Sequence, residues 1–407
     1  MKRTQYNLFL DYTDIYILFL CALISIFLYI PLGAVSINYF HNDDVRLINE
    51  LSSISHTNDI LHYVLSTEFF KFRPISNLNW LIEYYIFGFN YKLYIYYNVL
   101  LNIIVCALLI RLFNIKSQFI KFFTATIYLS SKYILYSIWN ITGSFETLSL
   151  IFFILILHNI IKRNVLSVCI FSVILILTSE KYLPFIVLTP IIMTVVAPPK
   201  ERHAKPILVS LIIIILYALI RINLNVPIFI GTQTDNLLES FNFFRLISFV
   251  VQSLGHIFGI SYGPTYLTGF DFRNLFQTGV LQSSGVNLLI LTVSLSLLIL
   301  IITVILTLRK NIDNNIILFY ISGLIMIIPA SITFRLELRW LAPSFVSFLL
   351  GLMTSIDKHF LFKRNDFKTK IIISTLIMFI CCNLLFALHL RPQLYFSEHF
   401  SKKTIIR

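Results

Sequence analysis

The chain is a succession of apolar runs, each about 15 to 24 residues long, separated by short segments that carry much of its Lys and Arg. A core helix of a soluble domain seldom needs so long an unbroken run, whereas a bilayer needs about 20 apolar residues per crossing. Composition agrees: 57% of the 407 residues are hydrophobic and 13% are charged, about half the charge of an ordinary soluble protein. The sequence therefore predicts an all-α polytopic membrane protein, a single transmembrane domain over residues 1–407, with about eleven transmembrane helices. These fall at about 15–37, 93–112, 119–138, 142–161, 164–179, 182–197, 206–222, 286–308, 315–333, 339–356 and 371–389. The first run follows Lys2 and Arg3, is long for a signal-peptide core and has no small-residue cleavage site, so it is expected to stay as a span.

Charge fixes the expected orientation. With the N-terminus inside and one crossing per span, the inside segments hold Lys2 and Arg3; Arg111, Lys116 and Lys121; Lys162 and Arg163; Lys200, Arg202 and Lys205; Arg309 and Lys310; and Lys358, Lys363, Arg364, Lys368 and Lys370. That is 17 of the 32 basic residues, while 13 of the 19 acidic residues fall on or near the other face. Every alternate loop obeys the positive-inside rule. The net charge of +13 is then a topological signal and not the mark of a nucleic-acid partner. The apolar stretch Phe243–Ile260 tests this map, because a crossing there would put Arg309, Lys310 and the basic 358–370 segment outside. Gly255, Gly259 and Gly263-Pro264 interrupt it, so an interfacial or re-entrant helix is expected. Two large segments, 38–92 and 223–285, then face away from the cytoplasm. The protein is expected in the cytoplasmic (inner) membrane, in contact with lipid and working at its outer face. The five cysteines all sit in apolar runs without CxxC or His partners and are expected to be packing residues.

The first outer segment, 38–92, is expected to form three amphipathic helices lying along the membrane surface. In the first, Val45, Leu47, Ile48, Leu51 and Ile54 share a face, and Asn42, Asp43 or Asp44 can cap its start. The second is expected after Asn58-Asp59. The third is expected after Arg73-Pro74, with Ser76 as its cap and Gly88 as its stop. Asp43 and Asp44 follow directly on the first span. A carboxylate at the membrane boundary must be solvated, paired or used. It can cap the helix, act as general base on a hydroxyl, or help to hold a divalent ion such as Mg or Mn. Arg73 offers a planar fork for a lipid-linked phosphate, or pairs with Glu68 or headgroups.

Further charges gather at the predicted outer ends of spans. Glu146 lies in WNITGSFETLSL, and Glu180 and Lys181 form a tight outward turn in LTSEKYLPF. These either pair internally or line the same outer cavity as Asp44. In FRLELRWLAP an extended stretch would bring Arg335 and Arg339 to one side, where two forks suit a phosphate or pyrophosphate head; snorkelling to headgroups competes. Tyr91, Tyr94, Tyr96 and Tyr97 suit an interfacial belt. His41, His56 and His62 lack ligand spacing. No Walker, GxGxxG, HExxH or GxSxG motif is present, and the absence of nucleotide-binding motifs argues against a nucleotide-sugar enzyme.

Taken in order, HNDD at 41–44, FRPISNLNWLIEYYIFGFNYKLYIYYNVLLN at 72–102, the ITGSFETLSLIFF stretch of the fourth span, SEKYLP at 179–184 and FRLELRWLAPS at 334–344 resemble the GT-C superfamily of membrane glycosyltransferases. The nearest branch is that of the protein O-mannosyltransferase-like and TPR-bearing transmembrane mannosyltransferases. The likeness covers roughly 15–200 and 334–356, and the Glu180-Lys181 order is reversed relative to the branch. It implies a hexosyltransferase that moves a sugar from a polyprenyl-phosphate donor to a cell-envelope glycan or protein acceptor, by a single inverting displacement. Asp44, or Asp43, would be the base. Arg73, Lys181, Arg335 and Arg339 would hold the donor phosphate, and Glu146 and Glu180 would line the cavity or the acceptor path. Metal dependence varies within the superfamily. The main rival is a transporter or flippase of lipid-linked sugars, which calls for pseudo-symmetric halves and charges along a midplane path; neither is evident. A membrane acyltransferase would need a boundary His, for which His256 is the isolated candidate.

Overall fold

The computed structural model describes residues 12–29, 42–54, 56–67, 72–113, 115–134, 137–138, 140–196, 205–225, six positions between 247 and 257, 266–268, 313–332, 335–359 and most of 373–381. Apart from one short strand pair, the described elements are helical. In chain order they are α1 (Tyr12–Tyr29), α2 (Asn42–Ser52), α3 (Thr57–Val64), α4 (Pro74–Phe87), α5 (Tyr91–Leu112), α6 (Gln118–Leu129), α7 (Ser144–Lys162), α8 (Val165–Thr178), α9 (Leu183–Val196), α10 (Lys205–Asn223), α11 (Asn314–Ile332) and α12 (Ala342–His359). Strands β1 (Tyr266–Thr268) and β2 (Arg335–Glu337) pair antiparallel. Single 3-10 turns, Ile141–Gly143, Glu180–Tyr182 and Leu338–Leu341, lead into α7, α9 and α12.

Among the described residues, three segments are long and apolar enough to cross a membrane: Tyr91–Leu112, Ile141–Lys162 and Arg339–Lys358. At 1.5 Å per residue α5 reaches about 33 Å, enough for a hydrocarbon layer of about 30 Å. Tyr12–Ser25, Val165–Thr178, Ile212–Asn223 and Asn314–Ala330 are apolar but shorter. The expected span at 286–308 lies outside the described residues. The one expected at 119–138 is not a continuous helix. Its α6 ends at Leu129, Ser130 takes the C-cap position, and after Ser131 the chain turns through Lys132–Ile134; three polar residues in a row stop the helix there.

The helix α7 packs against α5, α8, α11 and α12. It turns into α8 through Arg163, which takes a left-handed conformation with φ 58°, and Asn164, whose side chain accepts from the Ser167 N–H. Large side chains such as Tyr94, Tyr128, Phe153, Phe185 and Phe319 are fully buried in the core. Outward, α8 and α10 expose Leu166, Ile170, Ile215, Leu216 and Leu219, a surface that suits hydrocarbon better than water.

Polar contacts sort the helix ends into two opposite groups. At one end Asp14 of α1 pairs with Arg111 of α5 at 3.1 Å and Lys121 of α6 at 2.7 Å. Nearby, His158 of α7 hydrogen-bonds the Leu112 carbonyl. Asp357 of α12 accepts from the backbone N–H groups of Lys116 and Ser117, and Lys358 pairs with Asp313 before α11. These are the segments that the charge map puts together on one side. Asn223 and Asp313 lie at opposite ends, because Tyr217 of α10 lies within reach of the charges of Glu180 and Arg73 at the other end. The interfacial helix expected over 243–260 lies largely outside the described residues.

Candidate functional site

The opposite end is organised by α4. Pro74 occupies its first turn, and the N-cap position belongs to Arg73, as a proline locked near helical φ favours. Ser76 is not the cap: its hydroxyl donates to the Thr178 carbonyl at 2.8 Å and anchors α4 to the end of α8. Asn77 donates to the Tyr63 and Val64 carbonyls at 3.2 and 3.3 Å and holds α3 in place. The second helix starts three residues earlier than expected, at Thr57, with the Asp59 carboxylate accepting from the His56 N–H. Ser76, Asn79 and Glu83, spaced three and four apart, form a polar stripe on one face of α4.

Arg73, at the head of α4, begins a cluster of charges drawn from four segments. Its guanidinium donates to both oxygens of Glu180, at 2.6 and 2.7 Å, and lies over the Phe145 ring at 5.0 Å. Burial works against its charge, but Glu180 outweighs this and Glu146 adds to it, so Arg73 is held above its ordinary value. Lys181 donates to Glu146 in a short contact. Burial pulls the Lys181 ammonium below its usual range against the support of Glu146, and Arg339 and Arg73 repel it further. Arg339 approaches the second oxygen of Glu146 at 3.9 Å. Arg221, fully buried at the end of α10, donates to the Tyr217 hydroxyl at 2.6 Å. Four cations thus share one locality with two carboxylates.

The second half of the site adjoins this cluster. Asp44, in the first turn of α2, is fully buried, and one of its oxygens accepts from the Thr142 N–H at 3.2 Å. Glu83 is also buried, with 2% exposure. Its Oε1 accepts from Asn79, which also donates to the Ser144 hydroxyl at 3.1 Å and accepts from Tyr97 at 3.0 Å. Burial pushes the Glu83 carboxyl up to about 8, aided by the charge of Asp44 and opposed by Ser144 and Asn79. The two halves meet on the entry to α7. Thr142 touches Asp44, Ser144 touches Asn79, Phe145 packs edge-on to Trp80 at 5.7 Å, and Glu146 holds Lys181. Thr142 and Glu146 are about one turn, or roughly 6 Å, apart.

Of the expected site residues, Asp44, Arg73, Glu146, Glu180, Lys181 and Arg339 come together. Glu180 and Lys181 do not pair with each other but take Arg73 and Glu146 respectively. Asp43 lies within α2 and Arg335 within β2, but their side chains are outside the described set. Arg339 belongs to a 3-10 turn and not to the strand, so alternate-residue spacing does not carry from Arg335 to Arg339. Sequence reasoning missed Glu83 and Arg221. The stripe on α4 was a signal for the first, and a lone cation closing an apolar run was a signal for the second. Among the described residues no group of three or more His, Cys, Asp and Glu could hold a metal ion. No protein-family model, curated protein or solved structure matches this chain.

Proposed function

We propose that this protein is a membrane glycosyltransferase that takes a sugar from a polyprenyl-phosphate donor at the extracytoplasmic face of the cytoplasmic membrane. The observation that carries the reading is the convergence of Arg73, Lys181 and Arg339, remote in sequence, on Glu146 and Glu180, while the buried Asp44 is held by the Thr142 N–H on the same entry to α7. An excess of buried cations at the end of apolar helices suits a phosphate whose lipid tail arrives from the bilayer. A buried carboxylate on the same entry to α7 suits proton removal from an acceptor.

In this mechanism the acceptor oxygen attacks the anomeric carbon. The bond from that carbon to the phosphate oxygen breaks, and its electron pair leaves with the polyprenyl phosphate. Asp44 takes the acceptor proton. The cations offset the extra negative charge on the departing phosphate, a preorganised electrostatic contribution of the kind that often dominates catalysis. Attack opposite the leaving group inverts the anomeric centre. A flippase would need polar groups along a midplane path, whereas the charges described here gather at the two ends of the bundle.

The test is transfer of labelled sugar from a panel of polyprenyl-phosphate sugars in membranes holding the wild type or Asp44→Asn. Transfer that collapses in the variant at equal expression supports the reading. Absence of transfer with every donor in cognate membranes refutes it.

A further inference from the structure

The acidic half of the site contains two carboxyl groups, and the mechanism above uses one. Glu83 projects from the polar stripe of α4 into the space bounded by Asp44 of α2, Tyr94 and Tyr97 of α5 and Ser144 of α7. Asp44 is the charged group facing it from these elements; the others are hydroxyls. Glu83 and Asp44 are both buried, and two ionised carboxylates in one dry locality repel each other.

The hydrogen bonds divide the Glu83 oxygens. Asn79 donates to Oε1, which makes Oε1 the acceptor side. Oε2 is buried and makes no hydrogen bond within ordinary limits among the described residues, and the Ser144 hydroxyl stands close to the carboxyl. A buried polar atom left without a partner is costly, and a catalytic or ligand-binding role is one reason a protein keeps one. A protonated carboxyl has the complementary arrangement: a carbonyl oxygen that accepts and a hydroxyl that donates. Asn79 is itself held by Tyr97 and Ser144, so the orientation of the carboxyl is preset.

We propose that Glu83 works as a neutral carboxylic acid that donates a hydrogen bond from Oε2 to a hydroxyl of the transferred sugar, beside the base Asp44. This rests on the glycosyltransferase reading and names one contact within it. The elevated value of about 8 for this carboxyl agrees: below that pH Glu83 keeps its proton, and above it the group ionises, loses its donor and faces Asp44 as a second anion. Donation by a carboxyl held neutral in an apolar site is known enzyme chemistry. The sugar's hydroxyl, and not its ring oxygen, is the partner, because a donor aimed at the ring oxygen would oppose the positive charge that develops there as the bond to phosphate breaks.

The experiment compares wild type, Glu83→Gln and Glu83→Leu in full-length protein, with sugar transfer measured from pH 6 to pH 9 and infrared absorption of the protonated carboxyl followed over the same range. Expected are a wild-type rate that falls above about pH 8, a Glu83→Gln rate within about threefold of wild type at pH 7 without that alkaline fall, and a Glu83→Leu rate lower by about ten- to a hundredfold. A protonated-carboxyl band that titrates near pH 8 and is missing in Glu83→Gln is expected alongside. With an active wild type, a Glu83→Gln variant as inactive as Asp44→Asn overturns the inference, since Glu83 then works ionised. A Glu83→Leu variant as active as wild type overturns it too. Absence of the band overturns it whether or not sugar moves. A wild type that transfers nothing while the band is present instead refutes the glycosyltransferase reading, and the assigned sugar contact falls with it.

Discussion

Removing Arg73 and Glu180 singly and together separates a phosphate site from a structural ion pair. The pair has two charge-assisted hydrogen bonds of 2.6 and 2.7 Å, and its side chains are 16% and 5% exposed. Taking away one partner strands the other charge in a dry site, which costs about 3–5 kcal/mol. Arg73→Met and Glu180→Met should each lose that much, read as a lower denaturation temperature in detergent. Replacing both by apolar side chains removes the stranded charge, and such swaps are commonly neutral or stabilising. The double variant should therefore recover to within about 1 kcal/mol of wild type, a large coupling for residues in contact. Transfer should not recover with it. If Arg73 offsets charge on the leaving phosphate, its loss costs about 2.7–4 kcal/mol of transition-state stabilisation, a fall of about 100- to 1,000-fold in kcat. A double variant that regains both stability and transfer would refute the argument and leave Arg73 as a strut.

Three other outcomes are expected. Asp43→Asn should retain transfer while Asp44→Asn loses it at equal expression, measured with the same labelled donor; loss in Asp43→Asn alone would move the base by one residue. Asp14→Asn should destabilise the protein by about 3–5 kcal/mol in detergent, because its fully buried carboxylate holds both Arg111 and Lys121. Gly143→Ala should impair both stability and transfer by about 1–3 kcal/mol: its Cβ would lie 2.5 Å from the Ser137 Cα, and relieving that clash shifts the turn that carries the Thr142 N–H against Asp44. A Gly143→Ala protein with full transfer would show that this turn does not set the position of Asp44.

What the sequence made legible follows from which physical terms are local. Burying Lys or Arg in hydrocarbon is costly wherever it occurs, so alternation of basic loops groups helix ends, and Asp14 with Lys121 and Asp357 with Ser117 join ends that it groups together. The three helices that follow α1 were legible from periodicity and not from their caps, since Asn42, Asp43 and Asp44 lie inside α2, while Gly88 does stop α4, with φ 54°. The break in the 119–138 run was not, because the apolar residues around Ser130-Ser131-Lys132 mask three polar positions in any average over a span. Ser76 looked like a cap because Ser commonly caps; its actual partner, the Thr178 carbonyl, is 102 residues away.

The Glu180-Lys181 step shows the limit most clearly. Neighbouring residues on a helical turn point about 100° apart, so two opposite charges side by side do not satisfy each other. Each had to find a partner elsewhere, and the sequence alone could not say where. The 3-10 turn aims Glu180 at the head of α4 and Lys181 at the first turn of α7. One dipeptide therefore clamps the two elements that carry the acidic half of the site, Glu83 on α4 and the Thr142 contact to Asp44 on the entry to α7. A charge change at residue 180 or 181 consequently acts on the turn that holds Asp44 as well as on the cation cluster.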